Sequence, residues 1–443
     1  MVHPYLRYFD EQKAQVESRT KHDIERHRKA FAVINVVDKE GNPLNGAKIH
    51  INQKSHEFKF GCNIFMLDQF PDDEHNKKYR EIFPELFNYA IAPFYWSDLE
   101  PEDGKPRFSK DSPNVYRRPA PDLVVEYCNE KGISVKGHPL IWFHFLPEWL
   151  ARDKNESFFR IERRIREISE RYKTAICDWD VVNESLSGAS YRVENRLPYD
   201  YVSRTLKLAD HYFPGNRLFI NETTEYTWQS HFHWELSAFY LQIENLLMKG
   251  LRIDGIGMQY HLFRTPEKLE KEAAIFLNPW CLFEVLDTYG KFNKPIHISE
   301  ITVPAYGGTD DSKELQAQMT ELLYKVWFSH PNMEAIVWWN LVDGTAAYAP
   351  MGSLKGENYY CAGLLNYDMT PKPVYKTLKR LIKEEWHTEE DLTVCDGKAL
   401  FHGFFGKYDV DVIVDGKVER HVINLTKGGN REFKIILGNG SCV

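Results

Sequence analysis

The sequence lacks the cysteine spacing of a metal-binding or disulfide-stapled protein. Its seven cysteines are odd in number and widely scattered, and no two of them form a Cys-x-x-Cys pair. A chain of 443 residues is also long enough to bury a core without covalent staples. We therefore predict no disulfide framework and no metal site.

Long apolar runs and runs of one charge are missing too. No stretch reaches the ~18–20 apolar residues that span a bilayer, and the formal net charge is −8 with no basic cluster. These absences argue against membrane and nucleic-acid partners. The first residues, MVHPYLRYFDEQK, contain no apolar signal core. We expect a cytoplasmic protein, or a secreted or periplasmic one if a leader has been removed.

A strand–helix rhythm fills the middle of the chain. Eight short apolar segments alternate with amphipathic stretches, which is typical of a parallel (β/α)8 barrel. A doubly wound open sheet is the alternative, but the glycine-rich phosphate turn that usually follows its first strand is absent. The predicted strands are 58–65, 89–96, 134–143, 178–184, 217–222, 253–262, 295–302 and 334–343.

Both ends of the chain have a different character. Residues 1–30 are polar and helical in pattern, whereas 31–57 alternate around the turn sequence DKEGNPLNG. The last segment, 388–443, reads as strands and turns and is too short to bury a core alone. We predict an α/β fold: a (β/α)8 TIM barrel over 58–387, and a small accessory β-sandwich built from 31–57 and 388–443.

Polar and aromatic side chains recur where the predicted strands end. In a (β/α)8 barrel the functional groups lie at the C-terminal ends of the strands. Packing alone does not explain so many amides, acids and indoles at these positions. The residues are Trp142 on the third strand, Asn183 and Glu184 on the fourth, Asn221 and Glu222 on the fifth, Gln259 and His261 on the sixth, Glu300 on the seventh, and Trp338 and Trp339 on the eighth.

Two of these carboxylates, Glu184 and Glu300, suggest cleavage of a glycosidic bond. One acid must protonate the departing oxygen while a second carboxylate stabilises or attacks the anomeric carbon. Asn183 is placed to bind a sugar 2-hydroxyl, and His261 to hold Glu300 ionised. We therefore assign Glu184 as the acid/base and Glu300 as the nucleophile. The gap between the two carboxylates, which separates retention from inversion, is not readable from sequence.

Several motifs resemble glycoside hydrolase family 10, the retaining endo-β-1,4-xylanase family, over about residues 58–385. WDVVNE resembles its acid/base motif, GHPLIW its third-strand motif with His138 and Trp142, and IDGIGMQYHL its sixth-strand segment. EPEDGKPRF, WWNLVD and LLNYDMTPKPVY also match, with Trp339 as the sugar-facing indole. The resemblance implies a barrel fold, no cofactor, a carbohydrate substrate, and the roles assigned above to Glu184 and Glu300.

The chain departs from the family on the side that grips the non-reducing sugars. The family's Glu-Asn-x-x-Lys-Trp segment after the second strand is replaced, and of its residues only Trp96 is kept. A second sugar-side tryptophan is replaced near Tyr348. The other positions that differ are Ala92, Pro93 and Tyr95 after the second strand, Phe143 and Phe145 after the third, and Ile301 and Thr302 after the nucleophile.

The departures shape the functional prediction. Residues that would contact the bond being cleaved are kept. The polar residues that would bind the neighbouring sugar are replaced by apolar and aromatic ones. We predict a retaining β-glycosidase acting on a plant-type, xylan-like polysaccharide or oligosaccharide. An exo-acting or non-xylan enzyme, an ordinary endo-xylanase with a rewired subsite, and an inactive carbohydrate-binding barrel remain as alternatives.

Overall fold

The computed structural model of the protein describes residues 3–187, 196–228 and 232–438. In these ranges the strands, in chain order, are β1 Lys29–Val37, β2 Lys48–His56, β3 Lys59–Asn63, β4 Tyr89–Pro93, β5 Ser134–His138, β6 Asp178–Asn183, β7 Arg217–Glu222, β8 Gly255–His261, β9 Ile296–Thr302, β10 Met333–Trp338, β11 Glu389–Thr393, β12 Lys398–Phe404, β13 Gly406–Val414, β14 Lys417–Leu425 and β15 Glu432–Ile436.

Helices separate most of the central strands. They are α1 Arg7–Glu11, α2 Lys13–His27, α3 Asp73–Leu86, α4 Trp96–Leu99, α5 Pro121–Lys131, α6 Lys154–Tyr172, α7 Tyr201–Tyr212, α8 Thr224–Trp228, α9 Ala238–Met248, α10 Pro266–Phe276, α11 Pro279–Gly290, α12 Asp310–Ser329 and α13 Pro373–Arg380. A π-helical turn over Leu381–Glu385 follows α13.

Strands β3 to β10 close into a barrel in sequential order, with β10 pairing back to β3. Every pairing recorded between neighbouring barrel strands is parallel. The strands are almost continuously buried, as expected when side chains fill the barrel inside and helices cover it outside. The prediction of a (β/α)8 barrel is confirmed, and the open doubly wound sheet is wrong because the sheet has no free edge.

Local sequence explains where the barrel helices begin. Asp72 and Asp153 precede α3 and α6, and each side chain accepts hydrogen bonds from backbone N–H groups of the first turn. Thr265 does the same for α10, which opens with a proline that has no N–H to satisfy. These caps fix where each helix starts, and therefore the length of the loop that leaves each strand.

The chain forms two compact units. One comprises residues 1–13, 60–327 and 332–376 and contains the barrel; the other comprises 14–59, 328–331 and 377–443. The second unit holds two sheets, ordered β12–β1–β15 and β11–β2–β13–β14. Its core draws on both sheets and includes Ile34, Ile51, Phe401, Tyr408 and Val410. Strands from both chain ends therefore build the accessory β-structure, as predicted.

The ranges differ in detail from those read from sequence. The N-terminal helical pattern was predicted over 1–30, whereas α2 ends at His27 and β1 begins at Lys29. In the described part of the chain, no helix is long and apolar enough to cross a membrane. The same residues contain no cluster of three or more His, Cys, Asp or Glu side chains able to hold a metal ion.

Candidate active site

A cavity of about 370 Å³ opens at the C-terminal ends of the barrel strands. It gathers side chains from loops and strands that lie far apart in the sequence. Of the site residues predicted from sequence, it is lined by His138, Trp142, Asn183, Glu184, Gln259, His261, Glu300, Trp339 and Tyr348.

Glu184 follows the last residue of β6 in a left-handed backbone conformation, with φ of 54°. Such a conformation is unusual for a residue other than glycine and costs about 1–3 kcal/mol. The backbone N–H of Glu184 donates to the Asn221 carbonyl at 2.9 Å, and its Oε1 accepts from Gln259 Nε2 at 2.9 Å. Burial and the nearby charge of Glu300 raise the pKa of Glu184 to about 7.

Glu300 lies on β9 and is held by donors on both carboxylate oxygens. Asn221 Nδ2 donates to Oε1 at 3.0 Å, and His261 Nε2 lies 3.0 Å from Oε2. His138 Nε2 lies 3.8 Å from Oε1. Burial raises the pKa of Glu300 to about 7, whereas His138 acts in the opposite direction and favours the carboxylate.

A buried chain of charged groups stands behind His138. Asp180 Oδ2 lies 2.9 Å from His138 Nδ1, and Asp180 Oδ1 lies 2.6 Å from Lys136 Nζ. Burial alone would raise the pKa of Asp180, but Lys136 and His138 more than offset it and bring the pKa below its usual value. Asp180 therefore stays ionised and orients His138 with Nε2 towards Glu300.

His261 was predicted to contact Glu300, and the structure brings the two together. The sequence indicated no carboxylate for the other ring nitrogen; the Thr302 hydroxyl takes that place, 2.7 Å from His261 Nδ1. Burial lowers the pKa of His261 to about 4. A neutral ring that accepts from Thr302 at Nδ1 carries its proton on Nε2, where it donates to Glu300.

Aromatic rings form one wall of the cavity. Phe65, Tyr95 and Trp339 belong to a buried cluster that Trp142 and Phe145 pack against. The indole N–H of Trp142 is buried and has no hydrogen-bond partner among the described residues. Flat apolar rings with a spare donor suit the apolar face and hydroxyl rim of a sugar.

Two predicted aromatic contacts differ from one another. Tyr348 lines the cavity and is 83% exposed, so its ring is free to meet a ligand. Trp96 does not line the cavity; it is buried, donates from Nε1 to Glu100 Oε2 at 2.8 Å and packs edge-on against Trp149. The predicted sugar contact of Trp96 therefore finds no support in this geometry.

Some residues of the site carry no clear signal in the sequence. Asn221 lies at a strand end, but its position there does not predict that it donates to Glu300 and to Asn183 Oδ1 from behind the cavity surface. Arg117 and Arg118 also line the cavity, although they lie in a loop before α5 with no strand end or motif to mark them. Loop conformation, which sequence periodicity does not report, brings them there.

A parallel barrel with two buried carboxylates and an aromatic wall at its mouth has the layout of a glycoside hydrolase. The model of glycosyl hydrolase family 10 matches residues 57–381, well over half of the chain. The chain therefore belongs to glycosyl hydrolase family 10.

Curated relatives agree with this family. Endo-1,4-beta-xylanase B of Thermotoga neapolitana is 26% identical over 343 residues, covering 74% of this chain and 88% of that protein. Endo-1,4-beta-xylanase B of Cellvibrio japonicus is 28% identical over 285 residues, covering 63% of this chain and 41% of that protein. Anti-sigma-I factor RsgI6 of Acetivibrio thermocellus is 24% identical over 408 residues, covering 90% and 47%. The chain thus spans less than half the length of two of these relatives.

Solved structures support the fold. Xylanase 10B from Thermotoga petrophila, determined with xylobiose, aligns with a TM-score of 0.58 and 23% identity, covering 74% of this chain and 95% of that one. Native xylanase 10B from Thermotoga maritima aligns with a TM-score of 0.57 and 21% identity, covering 74% and 96%.

Proposed function

We propose that the protein is a retaining glycoside hydrolase that cleaves β-linked, xylan-like polysaccharides by double displacement. The observation that carries this proposal is the different surroundings of the two carboxylates. Glu300 accepts hydrogen bonds on both oxygens, from Asn221 and from neutral His261. Glu184 is buried beside the charge of Glu300, which favours its protonated form.

In the first step Glu184 acts as general acid. It gives its proton to the glycosidic oxygen while Glu300 attacks the anomeric carbon, and the C–O bond to the leaving sugar breaks. Asn221 and His261 aim the attacking carboxylate, so less reorganisation is needed in the transition state. Asn183, fixed by its bond to Asn221, offers its amide to the sugar hydroxyl next to the reacting carbon.

In the second step water hydrolyses the glycosyl-enzyme. Once Glu300 is esterified its negative charge is gone, so the pKa of Glu184 falls. Glu184 then takes a proton from water as general base, and the water oxygen attacks the anomeric carbon and releases Glu300. One side chain thus serves as acid and then as base.

Relatives and cavity together support the substrate class. Two of the relatives above are named endo-1,4-beta-xylanases, and we propose a β-1,4-linked, xylan-like backbone. The side of the cavity that we propose binds the non-reducing sugars differs from the family pattern, since Tyr95 and Phe145 form an aromatic contact there. An exo-acting or non-xylan β-glycosidase is therefore the alternative within this class.

Leaving-group dependence tests the two roles. Glu184→Ala should preserve kcat/KM for dinitrophenyl glycosides, whose leaving group needs no proton, and reduce it ~10²–10⁴-fold for unactivated oligosaccharides. Glu300→Ala should abolish both. The variant Glu170→Gln, which replaces an exposed carboxylate, controls for the loss of one negative charge and for protein preparation. Equal losses on both substrates for Glu184→Ala would contradict the assignment, as would an activated 2-fluoro-glycoside that labels any residue but Glu300.

A second candidate function is carbohydrate binding without turnover. The match that covers 90% of this chain is to a protein named an anti-sigma-I factor rather than a hydrolase. A panel of plant polysaccharides separates the two functions. Release of reducing ends supports the hydrolase, whereas saturable binding with no products, and no labelling by the fluoro-glycoside, supports the binding barrel.

A further inference from the structure

Two adjacent arginines line the cavity beside its aromatic wall. The guanidinium of Arg118 stacks on Tyr95, with its central carbon 3.9 Å from the ring centroid, and also faces Phe145 at 5.4 Å. Arg118 Nε pairs with Asp98 Oδ2 at 2.7 Å, and Nη1 donates to the Arg117 carbonyl at 3.1 Å. Stacking on Tyr95 and pairing with Asp98 hold the guanidinium plane in place, which suits recognition of a planar anion.

Arg117 is a buried cation, only 3% exposed. Its Nη1 donates to two neutral oxygens, Asn340 Oδ1 at 2.7 Å and the Thr345 carbonyl. Among the described residues no carboxylate lies within 4 Å of it, and its Nε has no hydrogen-bond partner. Burial, and then the charge of Arg118, lower its pKa. Buried charges are normally paired, so a missing anion is the simplest explanation for an unpaired one.

Two carboxylates lie near the arginine pair, and only one of them forms an ion pair with it. Asp98 pairs with Arg118. Glu357 lines the same cavity and lies within electrostatic reach of Arg117, but it forms no ion pair with either arginine in the part of the chain that the structure describes. Tyr95 lies within electrostatic reach both of Arg118 and of Glu300. Tyr95 therefore lies near both the arginine pair and the carboxylates of the proposed reaction.

The position of the pair in the barrel indicates which sugar it would meet. Tyr95 follows β4, the second barrel strand, and Asn340 and Thr345 follow β10, the eighth. The segment after the second strand is the one that, in the resemblance, grips the sugar on the non-reducing side. Its polar residues are replaced here, and arginines from another loop stand beside the replacements.

We propose that this end of the cavity binds the carboxylate of an acidic sugar, a uronic acid carried on the non-reducing side of the bond that is cleaved. The inference rests on the proposed function and narrows its substrate to acidic, uronate-bearing glycans. A uronate carboxylate is planar and accepts two parallel N–H bonds from a guanidinium, which a neutral sugar does not. It would also give Arg117 the carboxylate contact that it lacks among the described residues.

Matched substrates test the proposal. The probes are xylo-oligosaccharides carrying one glucuronic acid branch, and the same molecules after chemical reduction of the carboxyl group to a primary alcohol. We expect kcat/KM to fall ~10–100-fold on reduction, the range of one to two charge-assisted hydrogen bonds. The ratio of the two kcat/KM values should shrink as salt is added, because screening weakens the ionic contact.

Variants connect the effect to the pair. Arg118→Gln should bring the ratio of kcat/KM for the acidic substrate to kcat/KM for the reduced substrate close to one. Arg118→Lys should retain part of this ratio, since lysine keeps the positive charge but cannot donate two parallel N–H bonds. Arg166→Gln, an exposed helix arginine whose loss changes net charge equally, should keep the full ratio. The substrate ratio of Arg117→Gln is interpreted only if thermal unfolding shows that this variant is folded. If Arg117→Gln does not fold, the Arg118 variants decide the test.

The outcomes separate this inference from the proposed function. Equal kcat/KM on acidic and reduced substrates, or a ratio untouched by Arg118→Gln, overturns the acidic-sugar proposal while hydrolysis stands. Failure to cleave either substrate, together with no labelling of Glu300 by a fluoro-glycoside, overturns the hydrolase proposal itself. Equilibrium binding of the acidic oligosaccharide to Glu300→Ala then decides the inference independently: tighter binding than the reduced form supports it, and equal binding overturns it.

Discussion

The hydroxyl of Thr302 lies 2.7 Å from Nδ1 of His261, on the side of the ring opposite Glu300. A neutral hydroxyl in this place leaves His261 uncharged, because burial lowers its pKa to about 4 and the charges of Glu357 and Glu184 offset only part of that effect. His261 therefore orients Glu300 by a hydrogen bond rather than by a full positive charge. The identity of residue 302 thus controls the electrostatics of the proposed nucleophile.

Replacing Thr302 by aspartate should shift the pH profile. A carboxylate at Nδ1 raises the pKa of His261, and a protonated His261 stabilises ionised Glu300. The acidic limb of kcat/KM against pH should therefore move to lower pH, by about one unit. Thr302→Val instead removes the donor to Nδ1 and should lower kcat about tenfold. Thr288→Val, a buried threonine that donates to a backbone carbonyl on α11, serves as the control. An acidic limb that does not move would contradict the electrostatic role.

The paired carboxylates predict a bell-shaped profile. Burial raises the pKa of both Glu184 and Glu300 to about 7, so the pair loses its two protons in steps on either side of that value. Activity requires the singly protonated pair, so kcat/KM should rise as the first proton leaves and fall as the second leaves. The falling limb should appear for unactivated oligosaccharides and be absent for dinitrophenyl glycosides, because their leaving group needs no proton from Glu184. A basic limb that persists would place that proton on another group.

The sequence predicted the barrel, and it named nine residues that the structure brings to one cavity, because both depend on local patterns. Alternating strands and helices define the barrel, and barrel geometry brings residues such as Glu184 and Glu300 to one mouth. The Thr302–His261 bond and the positions of Arg117 and Arg118 depend instead on side-chain direction and loop path. Trp96 is the opposite case: it is the one residue kept from its family segment, yet its indole N–H donates to Glu100 and the ring does not line the cavity.

The different positions of two tryptophans can be tested directly. Trp142→Phe removes an indole N–H that has no described protein partner, so we expect KM to rise about five- to tenfold with little loss of stability. Trp96→Phe removes the donor to buried Glu100, so we expect the free energy of unfolding to fall by about 1–3 kcal/mol with KM little changed. Steady-state kinetics and denaturant unfolding measure both. If KM rises for Trp96→Phe and not for Trp142→Phe, the predicted contact between Trp96 and the sugar would be supported instead.

Glu222 is a further acid at a strand end, and its contacts indicate a positioning role. Its Oε1 accepts from the Leu186 N–H at 2.8 Å and from Ser185 Oγ at 3.2 Å, and its Oε2 accepts from the Thr223 N–H at 3.1 Å. These bonds fix the backbone of the turn that follows Glu184, and Glu184 itself has the left-handed conformation. Glu222→Gln puts an amide donor against one of the N–H groups, so kcat should fall ~10–100-fold with KM nearly constant. A purely structural role would lower stability without changing kcat or the basic limb of the pH profile.

The same carboxyl should make stability depend on pH. Burial is the main cause that raises the pKa of Glu222 from 4.5 to about 8. A carboxyl whose pKa is higher in the folded state stabilises the fold fully below its unfolded pKa, and this contribution is lost as pH rises through 8. The total is on the order of 5 kcal/mol, since each unit of pKa shift corresponds to about 1.4 kcal/mol. Glu222→Gln has no such titration. Denaturant unfolding at pH 5 and pH 8.5 should therefore show that the variant gains stability relative to the wild type at the higher pH. If the difference in unfolding free energy between variant and wild type is the same at both pH values, Glu222 titrates near its ordinary pKa.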